Sequence, residues 1–180
     1  MSVDVDKAIA ELKTKVEGMP GSENKLTMVV FSGDLDKQLA AMIIATGAAA
    51  MGMKVVLFFT FWGTAALRAP QKKVGGKNFM GKMFGMMLPK GRNKLTLSQM
   101  HMMGMGTAML KGLMQKKNVA SMDQLYDVAA QLAVKIYVCE MSMDLMGFKK
   151  EEMIDYPGMT VCGVATFLSD AQESKIQLFI

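Results

Sequence analysis

The stretch of residues 39–67 contains only one charged side chain, Lys54, and this limits how the chain can fold. The stretch is long enough to cross a bilayer. However, Gly52-Met53 separates an alanine-rich half from residues 55–61, which are β-branched or aromatic in the main. A buried helix that leads into a buried parallel strand has this pattern. We therefore predict the core of an α/β domain here, and no membrane span.

A second strand-like run, residues 26–31, precedes this helix and completes a βαβ unit. We expect Ser32-Gly33-Asp34 to form the connecting turn, with Asp34 as the helix N-cap, and Trp62-Gly63 to end the second strand. Apolar and small residues at helical spacing form the predicted buried face of the helix: Leu35, Leu39, Met42, Ile43, Thr46, Ala49, Ala50 and Met53.

The same alternation returns at Ser121. A helix that begins there leads to a strand over residues 134–138, which ends at Cys139, and a further short helix follows. The apolar residues of the Ser121 helix are Leu125, Val128, Ala129 and Leu132. This helix is therefore followed by a strand whose last residue, Cys139, carries a thiol.

The last forty residues are predicted to follow the same pattern. After a break at Tyr156-Pro157-Gly158, we expect a helix over residues 160–174 and a terminal strand over residues 176–180. Met153-Ile154 is the candidate for a fifth strand.

These elements predict an α/β fold with a mainly parallel sheet of four or five strands and helices on both faces, because helices join successive strands. We expect one domain over residues 25–180, preceded by an amphipathic helix over residues 1–20. A helical or irregular insertion at about residues 70–118 is rich in methionine, since residues 80–114 contain 10 of the 22 methionines. This insertion could line a core or subunit contact, form an adaptable partner groove, or bind copper(I).

Charge is distributed unevenly along the chain. Residues 37–117 contain 13 lysines and arginines and no acidic residue, whereas the net charge of the whole chain is +5. The cationic block is either a solvated surface or an attractor for an anionic substrate or acidic partner. Nucleic acid is disfavoured, because the basic residues are not interleaved with aromatic residues for base stacking.

Several classes of site lack the residues that they need. His101 is the only histidine and there are two cysteines, so neither a papain-like Cys-His pair with its own base nor a zinc site with paired ligands is favoured. No phosphate-binding loop or dinucleotide motif follows a strand. Met100-His101-Met102 gives little support to a copper site, and we expect no metal and no cofactor.

Cys139 is the candidate reactive residue. Its predicted place is the carboxyl edge of a parallel strand, beside the amides of the next helix, where α/β proteins hold reactive groups and where negative charge is stabilised. The turns at Gly33 and at Trp62-Gly63 should reach the same edge, because the strands are parallel. Residues 1–20 do not have the pattern of a secretory leader, and the chain contains only two cysteines. We therefore expect a reducing, cytoplasmic setting.

Four segments carry a family resemblance. These are Cys-Glu-Met-Ser-Met-Asp-Leu-Met-Gly at residues 139–147, Phe-Phe-Thr-Phe-Trp-Gly at 58–63, Gly-Val-Ala-Thr at 163–166 and Leu-Phe-Ile at 178–180. From about Lys25 to the end, the chain resembles DsrE/DsrF-like proteins, in particular the longer branch with a methionine-rich insertion. The resemblance implies a sulfurtransferase or sulfur carrier of small α/β fold, usually a homo-oligomer.

Carried over to this sequence, the resemblance makes Cys139 the acceptor of sulfane sulfur. Gly33, Trp62, Gly63, Ser142 and Asp144 are then expected to shape or bind at the pocket. Cys162 lies outside the most specific string, and it is either a core cysteine on a buried helix or a second reactive thiol.

Three functions remain open on this basis, of which a copper-handling protein is the least favoured. In the first, Cys139 takes sulfur from an anionic donor and passes it to the thiol of an acceptor protein, which requires a sulfur atom that water can reach. In the second, Cys139 is inert, and the cationic, methionine-rich insertion makes the chain a non-enzymatic module that binds a protein or membrane surface.

Overall fold

A five-stranded, fully parallel sheet forms the centre of the protein in a computed structural model that describes residues 3–17, 19, 21, 23–72, 74–75 and 79–180. The strands are β1 (Glu23–Val30), β2 (Lys54–Phe59), β3 (Lys135–Cys139), β4 (Met159–Cys162) and β5 (Ser174–Phe179). Their order across the sheet is β4-β3-β2-β1-β5. Both β4 and β5 are therefore edge strands.

Seven α-helices surround or flank this sheet among the described residues. They are α1 (Val3–Glu17), α2 (Leu35–Ala50), α3 (Phe79–Met87), α4 (Met105–Lys116), α5 (Met122–Gln131), α6 (Glu140–Met146) and α7 (Val164–Glu173). A 3-10 helix over Phe61–Leu67 follows β2 directly. The predicted α/β class, with a parallel sheet and helices on both faces, is confirmed.

Alternating side chains divide the core into two clusters. Leu26, Met28 and Val30 of β1 belong to a large cluster with α2 and α5. Phe58 of β2 and Cys139 of β3 belong to a small cluster on the opposite face, under α7. Successive strand residues point to opposite faces. The even-numbered residues of β1 and β3 therefore face the large cluster, and odd-numbered residues such as Cys139 face the small one.

The predicted fifth strand at Met153-Ile154 is wrong. Met153 forms only an isolated antiparallel bridge with Arg68, and the fifth strand is β4, within the segment that we expected to begin a helix. The helix α7 starts four residues later than predicted, at Val164. A four-residue, partly exposed edge strand leaves little period-two signal, although Thr160 and Val161 do favour a strand.

Two predicted helix faces are partly wrong. Ile43 and Ala50 of α2 are exposed, and so are Val128 and Leu132 at the end of α5. Each helix meets the sheet along a narrower stripe than its apolar residues suggest. In α2 the buried position near the N-terminus belongs to Gln38, whose Nε2 donates to the Ser32 carbonyl oxygen at 2.6 Å.

The predicted N-cap position of Asp34 is confirmed, and α5 begins directly after Ser121, within one residue of its predicted start. Ser121 forms a capping box, since its hydroxyl accepts from the Gln124 amide and the Gln124 side chain accepts from the Ser121 amide. Asp34 precedes α2, but its carboxylate accepts from the Ser32 hydroxyl at 2.8 Å and pairs with Lys37 instead of capping the helix amides.

Several contacts fasten the methionine-rich segment before α5 to the domain, including the Arg92–Asp123 ion pair and hydrogen bonds at two further places. The Leu35 amide donates to the Thr96 carbonyl oxygen, and Asp36 accepts from the amide and hydroxyl of Ser98. Partial burial would raise the pKa of Asp36, but these hydrogen bonds hold it below its ordinary value. At the second place the buried Arg68 donates to the Gly85 and Leu88 carbonyl oxygens.

The helix α1 is exposed on the side chains that the structure describes. Its predicted apolar stripe consists of Val5, Ile9, Leu12 and Val16. The side chain of Val5 lies outside the described part of the chain, and the other three are between 45% and 61% exposed. Among the described helices, none combines the length and apolar character that a bilayer crossing requires.

The loops that follow β1 and β2 pack closely at the carboxyl edge. The Gly63 amide donates to the Phe31 carbonyl oxygen at 2.8 Å, and a Cβ atom at Gly63 would overlap the Val30 carbonyl oxygen. A Cβ atom at Gly33 would lie 2.8 Å from the Trp62 carbonyl oxygen. Backbone meets backbone at both contacts, so only glycine fits without a shift of the loops.

We expect Gly63→Ala to lower the free energy of unfolding by about 2 kcal/mol, because the added methyl group must push a buried strand end aside. Gly47→Ala in α2 is the matched control, since nothing lies within 4 Å of a Cβ atom there. That change should raise the free energy of unfolding by about 0.5–1 kcal/mol. Urea denaturation of both variants measures the difference, and a neutral Gly63→Ala would contradict the packing argument.

A polar network fastens α7 to the sheet. Lys25 of β1, which is buried, donates to Asp170 at 2.9 Å and to Glu173 at 2.7 Å, and the Tyr137 hydroxyl of β3 donates to Asp170 at 2.8 Å. Burial tends to raise the pKa of Asp170, but the hydrogen bonds from Lys25 and Tyr137 hold it below its ordinary value. Burial and Asp170 raise the pKa of Tyr137 to about 12.

We expect Asp170→Asn to lower the free energy of unfolding at neutral pH by about 2 kcal/mol, because it leaves Lys25 buried beside a weaker partner. Since the pKa of Asp170 is lower in the folded state, its contribution is present above about pH 4 and is lost as the pH falls through the folded value. Asp170→Asn should therefore also flatten the loss of stability in acid.

Glu173→Gln is the control for this prediction, because Glu173 is 54% exposed and binds the same lysine. It should change the free energy of unfolding by less than about 1 kcal/mol. Equal effects of the two substitutions in urea denaturation at pH 7 would show that Asp170 has no special role in holding α7.

Candidate functional site

Cys139 lies where the sequence analysis placed it along the chain, at the end of β3 and immediately before α6. Its side chain faces α7 and packs with Phe58, Phe167 and Ala171. The rings of Phe58 and Phe167 are stacked, with centroids 4.9 Å apart. Cys139 is only 3% exposed, so among the described residues the thiol is covered. The prediction that water reaches this sulfur atom is therefore wrong for this conformation, because α7 and Phe58 close over it.

Cys162 is the neighbour of Cys139 across the sheet. It ends β4, and its Cα atom is the register partner of the Cys139 Cα atom. The predicted helical position of Cys162 is therefore wrong. Both residues carry free thiols, and Cys162 is partly exposed and packs against the same apolar cluster as Cys139.

The surroundings of Cys162 disfavour its thiolate. Burial raises the pKa of the Cys162 thiol, and nearby negative charge at Cys139, Asp170 and Glu140 raises it further.

Ser142 joins α6 to the end of β2. The residue is fully buried, its hydroxyl lies 2.8 Å from the Thr60 hydroxyl, and it accepts from the Phe61 amide at 3.0 Å. Its polar atoms are thus engaged within the protein. In this structure Ser142 fixes the position of the helix that follows Cys139, and its hydroxyl does not face an open pocket.

Gly33, Trp62 and Gly63 come together at the carboxyl edge of the sheet, as the loop contacts described above require. Trp62 is 44% exposed there. Asp144 lies apart from them, on the exposed side of α6, in a shallow groove with Glu140, Met141 and Leu145. The predicted pocket residues therefore divide into a packed loop cluster and an outer helix surface.

Acidic residues from outside the cationic block neutralise part of its charge. Among the described residues, five of its cations form such ion pairs: Lys37–Asp34, Lys54–Glu23, Arg68–Glu152, Lys72–Asp155 and Arg92–Asp123.

His101 Nδ1 lies 3.3 Å from the Thr107 hydroxyl, within the insertion. Nowhere in the described ranges do three or more His, Cys, Asp or Glu side chains gather as metal ligands.

Sequence reasoning missed the residues that cover and position the thiol. Tyr137 could have been found, because it lies two positions before Cys139 and must share its face of the strand. Thr60 follows the strand that we predicted, but nothing in the sequence pairs it with Ser142. Phe167 and Asp170 depend on how α7 crosses the sheet, and that path has no local sequence signal.

Comparison with known proteins gives two extensive sequence matches. The chain is 44% identical over 162 residues to the "Uncharacterized protein YrkE" of Bacillus subtilis (strain 168), a match that covers 90% of this chain and 100% of that protein. It is 37% identical over 163 residues to the "Sulfur carrier protein DsrE2" of Allochromatium vinosum, which covers 88% of this chain and 99% of that one.

A solved structure and a family profile complete the comparison. The crystal structure of the ychN protein from E. coli aligns with a TM-score of 0.48 and 10% identity, over 87% of this chain and 98% of that chain. The profile of the DsrE/DsrF/DrsH-like family matches residues 22–179, which include all five strands and Cys139. The chain therefore belongs to the DsrE/DsrF/DrsH-like family.

Proposed function

We propose that this protein is a sulfur carrier or sulfurtransferase that accepts sulfane sulfur on Cys139 and passes it to the thiol of a partner protein. The observation that carries the proposal is the position of Cys139, a free thiol at the carboxyl end of a central parallel strand. The named sulfur carrier that shares 37% identity over 88% of the chain supports the same role.

The transfer needs no oxidant. The Cys139 thiolate attacks the outer sulfur of a persulfide, polysulfide or thiosulfate, a bond forms from Cys139 Sγ to that sulfur, and the donor leaves with the electrons of the broken bond. An acceptor thiolate then attacks the same outer sulfur, and Cys139 leaves as a thiolate. Each step breaks one sulfur–sulfur bond and forms another.

The burial of Cys139 favours storage over rapid turnover. Phe58, Phe167 and Ala171 surround the sulfur with apolar groups, which would keep water and small thiols away from a bound persulfide. Access then requires a local opening, which proteins undergo at a fraction of the free energy of global unfolding. A carrier that releases sulfur only to a docked partner would use such a cover.

The exposed side chains beside the site suit a protein partner. Trp62, Met141 and Leu145 are between 44% and 59% exposed at the carboxyl edge and on α6. Tryptophan and methionine are enriched in contacts with another chain. We propose that this surface meets the acceptor protein or further copies of the chain in a homo-oligomer, in the reducing environment of the cytoplasm.

A specific observation keeps the second function in consideration. Several side chains of the methionine-rich segment are well exposed, among them Met86, Met87 and Met103. A module that binds a surface through flexible thioethers would present such groups. In that case Cys139 would be inert, and the donor experiment below separates the two functions.

Incubation of the protein with a polysulfide donor should add the mass of one or more sulfur atoms, and reductant should remove it. In Cys139→Ser no adduct should persist once the donor has been removed and glutathione added, because the buried store is lost. Cys162→Ser is the matched control and should still carry the adduct after long incubation. Intact-mass spectrometry measures all three proteins, and an unchanged wild-type mass with persulfide, polysulfide and thiosulfate donors would refute the proposal.

The cover over Cys139 can be tested separately. Phe167→Ala removes the ring that stacks on Phe58, so we expect iodoacetamide to alkylate Cys139 about tenfold faster in native buffer. Leu168→Ala is the control, since Leu168 lies on the same helix but is 51% exposed. Peptide mapping after timed quenching measures the rate, with circular dichroism to confirm that both variants are folded. Equal rates would mean that access does not depend on this part of α7.

A further inference from the structure

We infer that Cys162 is the second thiol of this site and that it exchanges sulfane sulfur with Cys139 within one protomer. The inference rests on the proposed function, because it assigns the internal path of the same sulfur atom. Cys162 would be the thiol that meets donor and acceptor, and Cys139 would be the interior store.

The register of the sheet brings the two residues together. Cys139 and Cys162 are Cα partners on neighbouring parallel strands, so their side chains leave the same face of the sheet. Neighbouring strands lie about 4.8 Å apart. A sulfur–sulfur bond is about 2.05 Å long, so the outer sulfur of a persulfide on either residue extends well into the gap between them. Rotation about the side-chain bonds can then bring the outer sulfur to the other thiol.

The two thiols differ in exposure in the way that such a path needs. Cys139 is covered by α7, whereas Cys162 is partly exposed on β4. Within the described part of the chain, β4 pairs with β3 alone, so its other side is an edge of the sheet. A donor that approaches the described protomer therefore meets Cys162 before Cys139.

Two thiolates side by side at this register would repel each other, so the pair holds one thiolate at a time. In the exchange one thiolate attacks while the other is formed. The site therefore holds a single negative charge throughout, and that charge moves from one sulfur to its neighbour.

The chemical step is balanced without a co-reactant. The Cys139 thiolate attacks the outer sulfur of the Cys162 persulfide, the bond from Cys162 Sγ to that sulfur breaks, and Cys162 leaves as a thiolate. The number of sulfur–sulfur bonds is unchanged, so nothing is oxidised or reduced overall. Release follows the same path in reverse, and the acceptor thiolate takes the sulfur from Cys162.

The test compares loading rates in the full-length wild type, Cys162→Ser, Cys162→Ala and Cys139→Ser proteins. Each is mixed with a polysulfide, quenched by alkylation at timed intervals and mapped by peptide mass spectrometry. We expect sulfur to reach Cys139 about tenfold more slowly in both Cys162 variants, because the donor must wait for the cover to open. In Cys139→Ser, sulfur should reach Cys162 quickly and should be lost quickly to added glutathione.

Thr160→Ala is the matched control, because Thr160 lies on the same strand and is exposed. It should load Cys139 at the wild-type rate, and thermal melting should confirm that every variant is folded. Equal loading of Cys139 with and without Cys162 would overturn the internal exchange and leave the proposed function standing. A Cys139–Cys162 disulfide with release of sulfide would also overturn it. The absence of sulfur from both cysteines in the wild type would instead refute the proposed function itself.

Discussion

Parallel pairing of β3 with β2 on one side and β4 on the other is the constraint on which the site depends. It places the last residue of β3 at the same edge as the ends of its neighbours. On the β2 side, the Ser142 hydroxyl binds Thr60 and the Phe61 amide and so fixes α6. On the β4 side, the register sets Cys162 beside Cys139. A change of one residue in this register would turn one thiol to the opposite face and separate the pair.

The same constraint explains why Cys139 is covered. A central strand of a parallel sheet needs a layer on each face, and β3 lies between two neighbours. The helix α7 provides that layer as it passes from β4 at one edge to β5 at the other, and Asp170 fastens it to Lys25 and Tyr137. The burial of the thiol is thus a consequence of the topology. A sulfur carrier with this sheet therefore needs a path by which sulfur reaches the buried thiol of Cys139.

The sequence predicts the βαβ unit and the strand that ends at Cys139, because long buried elements have clear hydrophobic periods. It does not predict β4, since four partly exposed residues give almost no period, and the apolar residues that follow favour a helix. This one error had a large effect on the site. With residues 160–162 in a helix, the sequence gives no reason to pair Cys162 with Cys139, and it leaves Cys162 as either a core cysteine or a second reactive thiol. The covering residues Phe167 and Asp170 were missed for a related reason, because their positions follow from the order of strands in the sheet.

The distribution of charge also affects how a donor reaches the thiols. From the sequence alone, the cationic block from residue 37 to residue 117 is either a solvated surface or an attractor for anions. In the fold, acids from outside the block pair with five of its cations, and one of these cations, Arg68, is buried. Long-range attraction is therefore weaker than the linear sequence implies, and solvent ions screen what remains beyond about 8–10 Å. The local arrangement of β4, α7 and the two thiols then determines which cysteine a donor meets first, and the edge position of Cys162 makes it that cysteine.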